Sequence, residues 1–368
     1  MKFEIEREEF LKPLQAVIGV VEKRQTMPVL SNMLVAVRDD RLSVTATDLE
    51  VELVARAGLE GSSPGAVTVP GRKLVDIVRT LPEGAGVSVE LEGERVTVRS
   101  GRSRFTLSTL PAAEFPAIEE LHGLLGLDVS QASLKRLCGQ TAFAMAHQDV
   151  RYYLNGLLME FRPEGLRAVG TDGHRLALCD VECTTGAGES EPRQVIVPRK
   201  GVVELQRLLG DDDQPARLEV STNHVRVTLG DLRFTSKVID GRFPDYERVI
   251  PRDGDKRVQV DRQVLRQALA RTAILSNEKY RGIRLQLDSR RLAIQAHNPE
   301  QESAEEELEV SYEGDGMEVG FNVNYLLDPL AALEGEAVEL VLKDSNSSCL
   351  IQAPGDESSR HVVMPMRL

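Results

Sequence analysis

The amino-acid sequence predicts an α+β protein made of three copies of one domain. Two features of the 368-residue chain carry this prediction. Similar segments recur at intervals of 124 to 129 residues, and each copy has many short alternating apolar and polar stretches but only two helical ones. Such alternation is typical of strands with one covered face, so the sheets should be antiparallel. Because aromatic residues make up 4% of the chain and Trp is absent, the cores should consist mainly of Val, Leu, Ile and Ala.

The first recurring segment is a strand that ends at a polar corner. Its three corners are Asp48, Asp172 and Asn298, which are 124 and 126 residues apart. Asp and Asn side chains commonly close turns, and we expect that role at every corner. Only the second copy continues as GHR, and an Asp near a His also resembles a general-base catalytic pair. The recurrence of the corner favours the turn.

The second recurring segment is a strand that runs directly into a helix. It reads AVTVPGRKLVDIVRTL, QVIVPRKGVVELQRLL and EVGFNVNYLLDPLAAL, with Pro70, Pro198 and Asn322 at the junctions. Proline suits the start of a helix because its φ is already fixed and its missing N–H is not needed there. We therefore expect a helix to begin just after each of these residues.

The third recurring segment lies at the end of each copy. Phe105 and Phe234 are 129 residues apart, and the Phe-Pro pairs at 115–116 and 243–244 are 128 apart. The third copy falls on 360–365, at the end of the chain.

Each copy also begins in the same way, with a short strand followed by a helix. The strands are expected at 2–6, 127–129 and 257–260, and the helices should start near Arg7, Gln131 and Arg262. Ser130 and Asp261 are residue types that cap helix N-termini well. Charged or Gly/Pro-rich stretches separate the copies, and the predicted domains are 1–122, 123–250 and 251–368.

The net charge of −13 argues, taken alone, against a simple nucleic-acid-binding protein, because phosphate contacts need Lys and Arg. In the six predicted helical segments, however, basic residues exceed acidic ones by eight, which leaves −21 for the rest. If the helices share a surface, that surface suits loose, sequence-independent contact with a phosphate backbone. Solvated helix faces also favour Lys and Arg, so an ordinary explanation stays open. The segments are 7–24, 72–80, 131–146, 199–209, 261–281 and 323–334.

Other site classes are poorly supported by the sequence. No apolar run reaches the roughly 20 residues of a membrane-spanning helix, and the N-terminus has no apolar signal segment. Cys138, Cys179, Cys183 and Cys349 lack zinc-type spacing. We therefore expect reduced thiols, no metal, no cofactor, no membrane partner and a cytoplasmic protein.

A family resemblance extends over essentially the whole chain. The stretches VPGRK, SGRSRFTLSTLPAAEFP, MAHQDVRYYLNG, TDGHRLAL, VIVPRK, FTSKVIDGRFPDYERV, ILSNEKYRGIRL, NPEQESAEEEL and VVMPMRL resemble bacterial DNA sliding clamps, the beta subunits of DNA polymerase III. The resemblance implies clamp-type domains, with two copies closing head-to-tail into a ring whose helices line the hole and whose sheets lie outside. It also implies a homodimer that encircles double-stranded DNA and catalyses nothing. The implied partners are the polymerase III catalytic subunit, the clamp loader, and other polymerases and repair proteins that carry a clamp-binding peptide.

The resemblance also implies three sets of site residues. The DNA-binding set is Arg24, Arg72, Gln148, Tyr152 and Tyr153. The peptide-binding set, between the second and third domains, is Leu154, Thr171, Gly173, His174, Arg175, Leu176, Pro244, Arg248, Val249, Asn322, Ser348, Val362, Val363, Met364, Pro365 and Met366. The dimer-interface set is Lys73, Arg95, Arg104, Phe105 and Leu107 of one copy against Ile274, Leu275, Glu300, Glu302 and Glu306 of the other.

The residues themselves support these sets in part. The chain end VVMPMRL is unusually apolar for a terminus, and Met-rich surfaces adapt to several partners, although a final edge strand is an equally simple explanation. Paired Tyr residues stack on bases but also serve in packing. Ser303 interrupts the family's acidic cluster, so one ion pair of the interface is expected to be missing.

Two other functions remain open from the residues alone. A nucleic-acid-processing enzyme would need a metal or nucleophile site, and the sequence has neither a Walker-type phosphate loop nor a metal-type His/carboxylate spacing. A peptide-binding scaffold that does not bind DNA would leave the basic helices unexplained.

Overall fold

The computed structural model describes residues 1–21, 27–116, 118, 121, 125–183 and 193–367. The chain forms two compact units, one comprising Met1–Ala132 with Lys200–Val238 and the other Ser133–Arg199 with Ile239–Leu368. In the described ranges, no helix is long and apolar enough to cross a membrane.

The elements follow the same order in each of the three copies. The first contains β1 (Lys2–Glu6), α1 (Arg7–Val17), β2 (Asn32–Arg38), β3 (Arg41–Thr47), β4 (Val51–Gly58), β5 (Gly65–Pro70), α2 (Gly71–Thr80), β6 (Gly86–Glu92), β7 (Arg95–Ser100), β8 (Ser103–Ser108) and β9 (Leu110–Pro111). The second contains β10 (Leu125–Ser130), α3 (Gln131–Thr141), β11 (Gly156–Arg162), β12 (Gly165–Thr171), β13 (Arg175–Glu182), β14 (Arg193–Pro198), α4 (Arg199–Leu208), β15 (Pro215–Val220), β16 (His224–Leu229) and β17 (Leu232–Lys237). The third contains β18 (Lys256–Asp261), α5 (Arg262–Thr272), β19 (Gly282–Asp288), β20 (Arg291–His297), β21 (Ser303–Glu309), β22 (Met317–Asn322), α6 (Val323–Ala332), β23 (Ala337–Leu342), β24 (Cys349–Ala353) and β25 (Asp356–Val363).

This order confirms the predicted α+β class and the repeat. The three opening helices begin at Arg7, Gln131 and Arg262, as predicted. Asp261 caps α5, because its carboxylate accepts a hydrogen bond from the Val264 N–H at 2.8 Å. At the start of α6, the Asn322 side chain accepts from the Asn324 N–H.

The opening helices end earlier than the predicted segments. Helix α1 stops at Val17 and passes into a 3₁₀ turn at Ile18–Val20, where β-branched residues favour the α-helix weakly. Helices α3 and α5 end at Thr141 and Thr272, whose hydroxyls bond to the carbonyls four residues earlier. Counted within the observed helices, basic residues still exceed acidic ones by eight.

The first unit contains two antiparallel sheets. Their strand orders are β1-β6-β7-β8 and β10-β15-β16-β17-β4-β3-β2-β5-β9. The larger sheet joins two repeats, because β17, the last strand of the second repeat, pairs with β4 of the first. In that pairing Ser236 lies opposite Val51, and Phe234 lies opposite Leu53.

The second unit repeats this arrangement. Its sheets have the orders β14-β11-β12-β13-β25-β24-β23-β18 and β21-β20-β19-β22. The last strand of the third repeat, β25, pairs with β13 of the second, with Val363 opposite Arg175 and His361 opposite Ala177. Helices α5 and α6 pack on a core that includes Leu265 and Phe321.

Candidate functional site

The three polar corners are turns. The Asp48 carboxylate accepts the Val51 N–H at 2.7 Å, and the Asp172 carboxylate accepts the Arg175 N–H at 3.1 Å. At the third corner, the Asn298 side-chain oxygen accepts the Glu302 N–H at 2.9 Å. The turn expected from the sequence is therefore confirmed at each corner, and it accounts for the Asp beside His174 without catalysis.

Arg175 links the second repeat to the third. Its guanidinium binds the Asp172 carboxylate at 3.1 Å, the Phe143 carbonyl at 2.7 Å and the Asp328 carboxylate of α6. The same guanidinium lies 4.6 Å from the ring centre of Tyr325, another residue of α6. Tyr325 and Asp328 were not predicted: both lie in the third copy of the strand-to-helix segment, but nothing in that recurrence indicates that either contacts Arg175.

The end of the chain is fixed to both repeats. The Met364 N–H donates to the His174 carbonyl at 3.0 Å, and the Met366 N–H donates to the Gly320 carbonyl at 2.9 Å. The His174 ring stacks on Tyr325 with 6.4 Å between ring centres. This apolar terminus is thus ordered by backbone hydrogen bonds beyond the last strand, where a free terminus would fray.

A buried apolar cluster lies beside this terminus. Leu176 and Val362 are opposite each other in β13 and β25, and each is almost fully buried. Two residues of the segment that follows β17, Phe243 and Tyr246, cover them. The remaining buried members of the cluster are Leu158, Val169, Leu178, Ile196, Val341 and Leu350.

A groove of about 800 Å³ opens next to the cluster. Of the predicted peptide-binding residues, Arg248, Val249, Ser348 and Met364 line it. Val249 is 40% exposed and Met364 is 38% exposed, which leaves two large apolar side chains at an open surface. The other lining residues are Asp245, Glu247, Ile250, Pro251, Arg252, Asp253, Gly254, Val341, Lys343, Asn346 and Ser347.

The other residues of the predicted peptide-binding set do not line this groove. Thr171 and Gly173 belong to the second corner, where the Gly173 N–H donates to the Thr171 hydroxyl. Leu154 and Val363 are buried, so they are core residues in this structure. Pro244 is exposed, and Asn322, Pro365 and Met366 are half-buried.

The predicted DNA-binding residues are only partly described. Arg24 lies outside the described residues. Arg72 is exposed on α2, and its guanidinium donates to the Val21 carbonyl at 2.8 Å. In the other unit, Tyr152 is 58% exposed and meets Tyr153 edge-on at 5.8 Å.

Gln148 and its neighbours form a tightly held loop. The φ of Gln148 is +58°, a left-handed conformation that is uncommon for residues other than glycine. Arg151 donates side-chain and backbone hydrogen bonds to the Asp149 carboxylate, which lowers the pKa of Asp149 to about 2. Tyr153 packs against the buried apolar cluster and so has a packing role, whereas Tyr152 faces solvent.

The predicted interface residues lie on or near two edge strands. In the first unit, β8 is the edge of its four-stranded sheet and carries Arg104, Phe105 and Leu107. Leu107 is only 9% exposed, so it offers less apolar surface than the sequence predicted. Lys73 and Arg95 are exposed.

In the second unit the corresponding edge is β21, which reads SAEEELE. Ile274 is 76% exposed, as expected, whereas Leu275 is half-buried because it closes the 3₁₀ turn after α5. Glu306 is already paired with Arg271 of its own copy. Glu300 and Glu302 are exposed.

No cluster of metal-ligating side chains occurs among the residues that the structure describes. The four cysteines are free thiols. Burial raises the pKa values of Cys138 and Cys349 to about 12, so both thiols are held in the protonated, unreactive form.

Comparisons with known proteins agree along the whole chain. Family models for the N-terminal, central and C-terminal domains of the DNA polymerase III beta subunit match residues 1–119, 128–245 and 247–367. The beta sliding clamps of Pseudomonas putida and Escherichia coli are 58% and 55% identical over 370 residues, with 100% of both chains covered. The solved DNA polymerase III beta subunit of Pseudomonas aeruginosa covers both chains fully, with a TM-score of 0.97 and 55% identity. The solved Caulobacter crescentus pol III beta has a TM-score of 0.93 and 42% identity, again with full coverage.

Proposed function

Because the chain belongs to the family of DNA polymerase III beta subunits, the beta sliding clamps, we propose that two copies close into a ring around double-stranded DNA. As a member of this family, the protein is a processivity factor, an accessory subunit that supports the polymerase and has no catalytic activity of its own.

The internal repeat supports ring closure by two copies. The last strand of the second repeat pairs with β4 of the first, and the last strand of the third pairs with β13 of the second. The equivalent strands that have no such partner are β8, the counterpart of β17 in the first repeat, and β21, the counterpart of β4 in the third. Each lies at the edge of its sheet. Edge strands recruit other strands, and pairing β8 of one copy with β21 of another would satisfy both edges head-to-tail.

The two observed joins also give the register of the proposed one. Val51 and Arg175 follow their corners and face Ser236 and Val363. The corresponding residue of the third copy is Glu302, just before β21, because its carbonyl accepts the corner N–H as that of Val51 does. Leu107, which lies 129 residues before Ser236, should therefore face Glu302.

By the same register, Phe105 faces Ala304 and Arg104 faces Glu305. Opposite charges directly across a strand pair stabilise it by about 0.2–1 kcal/mol. Glu305 is thus the proposed partner of Arg104, and Glu306, although it belongs to the predicted interface set, is paired with Arg271 of its own copy. The apolar contribution would come mainly from Phe105 and the exposed Ile274.

We propose that DNA is bound loosely through the helices and the loop of Gln148. The excess of eight basic residues in the helices, within a chain of net charge −13, supports a basic surface on an acidic protein. Arg24, Arg72, Gln148, Tyr152 and Tyr153 are the proposed contacts.

We propose that the polymerase and other partners bind the groove at Val249 and Met364, through a peptide with apolar anchors. The repeat supports a single groove in each copy. The buried pair Leu176 and Val362 corresponds to Glu52 and Thr235 at the other described join, where a polar pair cannot support an apolar site.

The individual partner proteins are also proposed. They are the catalytic subunit of the polymerase, the clamp loader, and further polymerases and repair proteins that carry the same kind of peptide, all in the cytoplasm. The domain limits 1–122, 123–250 and 251–368 are likewise proposed, supported by the family-model limits.

Topological retention on DNA tests the ring directly. The protein is loaded onto nicked circular DNA with a clamp loader, and the DNA is then cut once with a restriction enzyme. We expect the protein to remain bound before cutting and to dissociate within minutes afterwards, because a ring slides off free ends. Equal retention on circular and linear DNA would show ordinary binding and would exclude the ring.

A further inference from the structure

A second cavity, here called the arginine cavity, adjoins the groove. It has a volume of about 370 Å³ and is walled by five arginine side chains and two glutamates. The arginines are Arg162, Arg167, Arg252, Arg257 and Arg360, and the glutamates are Glu247 and Glu357.

The floor of the arginine cavity is a neutralised network. The Arg167 guanidinium binds the Asp180 carboxylate with an Nη2–Oδ2 distance of 2.7 Å. Arg162 pairs with the buried Glu160, and the Tyr246 hydroxyl accepts from Arg162 at 3.1 Å and donates to Glu160 at 3.2 Å. Glu160 and Arg167 are buried, Arg162 and Asp180 are partly exposed, and the four charges are paired with one another, as buried charges must be.

The rim carries positive charge that is not neutralised in the same way. Arg252 is exposed and forms no ion pair with any residue in the described ranges. Arg257 is 61% exposed and is paired with Glu339 at 2.9 Å on one side only. Glu247, 52% exposed, lies 3.6 Å from both Arg162 and Arg167, too far for the hydrogen-bonded contacts that the floor arginines make.

The arginine cavity and the groove are continuous. Six residues line both of them: Glu247, Ile250, Pro251, Arg252, Gly254 and Val341. A peptide that leaves the groove across Pro251 therefore passes the arginine rim, since Pro251 and Arg252 line both spaces.

We infer that the arginine cavity binds an acidic side chain of the partner peptide that occupies the groove. This inference rests on the proposed peptide-binding function of the groove and adds an electrostatic determinant to it. Carboxylates bind guanidinium groups in a planar, often bidentate geometry, and Arg252 and Arg257 have donors free for such contact. Partners with an acidic residue beside their apolar motif would bind more tightly than partners without one.

Fluorescence anisotropy with labelled peptides tests the inference on the full-length protein. One peptide carries a Gln-Leu-x-Leu-Phe core with Asp and Glu on its N-terminal side, a second carries them on its C-terminal side, and a third carries Asn and Gln on both sides. We expect one acidic peptide to bind the wild type roughly fivefold more tightly than the amide peptide at low salt, as for a partly exposed ion pair. The ratio should shrink as salt rises.

Three variants then assign the effect to the cavity. Arg257→Ala, alone and with Arg252→Ala, should bring the ratio of the two affinities towards one, and Glu247→Gln should raise it by removing a competing carboxylate. Arg38→Ala is the matched control, because Arg38 is 90% exposed and paired only with Asp39.

The outcomes separate this inference from the proposed groove. Equal affinities of acidic and amide peptides for the wild type, or a ratio that survives in the double variant, would overturn the role of the arginine cavity and leave the groove intact. Binding of the acidic peptide alone, lost in the double variant, would support the cavity and reject the groove. If no peptide binds, both are rejected.

Discussion

The guanidinium of Arg175 at the start of β13 binds the carboxylate of Asp328 on α6, which follows it by 153 residues in the chain. The Arg175 side chain is 13% exposed, and it also binds Asp172 in the corner between β12 and β13. A single side chain therefore couples the corner of the second repeat to the last helix of the third.

Replacement of Arg175 by Ala should destabilise the protein. It removes the guanidinium from the Asp172 and Asp328 carboxylates and from the Phe143 carbonyl, and it leaves Asp172 with backbone N–H donors only. Losing these charge-assisted bonds in a mostly buried place costs about 2–3 kcal/mol. Urea unfolding followed by circular dichroism measures the change. Arg248→Ala is the control, because Arg248 is 85% exposed and paired only with Asp245, and it should change the free energy of unfolding by less than about 0.5 kcal/mol. Equal effects of the two variants would contradict the coupling role.

Local features of the fold were predictable from the sequence, and long-range pairings were not. The start of α5 could be predicted because the Asp261 cap acts within three residues. The pairing of β17 with β4 joins residues about 180 positions apart, and no periodicity in either strand specifies its neighbour. The burial of Leu107 could not be predicted either, since an alternating strand shows which residues share a face but not what covers it.

Ile274 and Leu275 should control assembly. Ile274→Asp combined with Leu275→Asp places two charges where the seam is proposed, and burying unpaired charges is costly. We expect folded monomers of about 40.6 kDa in sedimentation at micromolar concentration, against dimers for the wild type. Val150→Asp is the control, because Val150 is 95% exposed and lies outside the seam. A double variant that sediments as a dimer would remove these residues from the interface.

Arg24 and Arg72 should contribute to DNA binding through charge alone. Replacing both by Ala should weaken binding to any DNA sequence and lower the slope of log affinity against log salt by about one per lost phosphate contact. A filter-binding or anisotropy titration at several salt concentrations gives the slope, with Arg38→Ala as the control on an exposed arginine elsewhere. Slopes identical to the wild type would exclude both residues from the DNA surface.

His361 should make the protein less stable in mild acid. It occupies the position that Phe105 and Phe234 hold in the other repeats, is fully buried, and its ring nitrogens have no hydrogen-bond partner in the described part of the chain. Burial lowers the pKa of His361 from 6.5 to about 3. Between these pH values the unfolded chain binds a proton that the folded protein does not. The free energy of unfolding therefore decreases as the pH is lowered, by up to about 1.4 kcal/mol per pH unit.

His361→Phe should flatten this dependence, because Phe does not titrate and resembles the residues at the equivalent positions. The ring of Phe143, 5.7 Å from that of His361, leaves an apolar neighbour for the new side chain. Urea unfolding at pH 7.5, 6 and 5 measures the slope, and His147→Phe, at an exposed position, should retain the wild-type slope. If His361→Phe and the wild type lose stability equally as the pH falls, His361 is not the group responsible.

Removal of the last five residues, 364–368, should abolish peptide binding while leaving the fold and the dimer intact. Met364 is the only part of this segment that lines the groove among its described residues, and its backbone is held by the His174 carbonyl rather than by the sheet core. The apolar cluster is completed by Val362, which remains. A peptide with apolar anchors buries a few hundred Å², and this burial contributes about 25 cal/mol per Å². After the cost of ordering the peptide, the expected affinity is about micromolar. Because this affinity is modest, the loss of one exposed Met and its flanking backbone is sufficient to bring binding below detection. Met364→Ala, which keeps the backbone hydrogen bond, should weaken binding by an intermediate amount and so distinguish the contribution of the side chain from that of the terminal backbone. A truncated protein that binds the Gln-Leu-x-Leu-Phe peptide with wild-type affinity in a fluorescence titration would show that the groove is not the site.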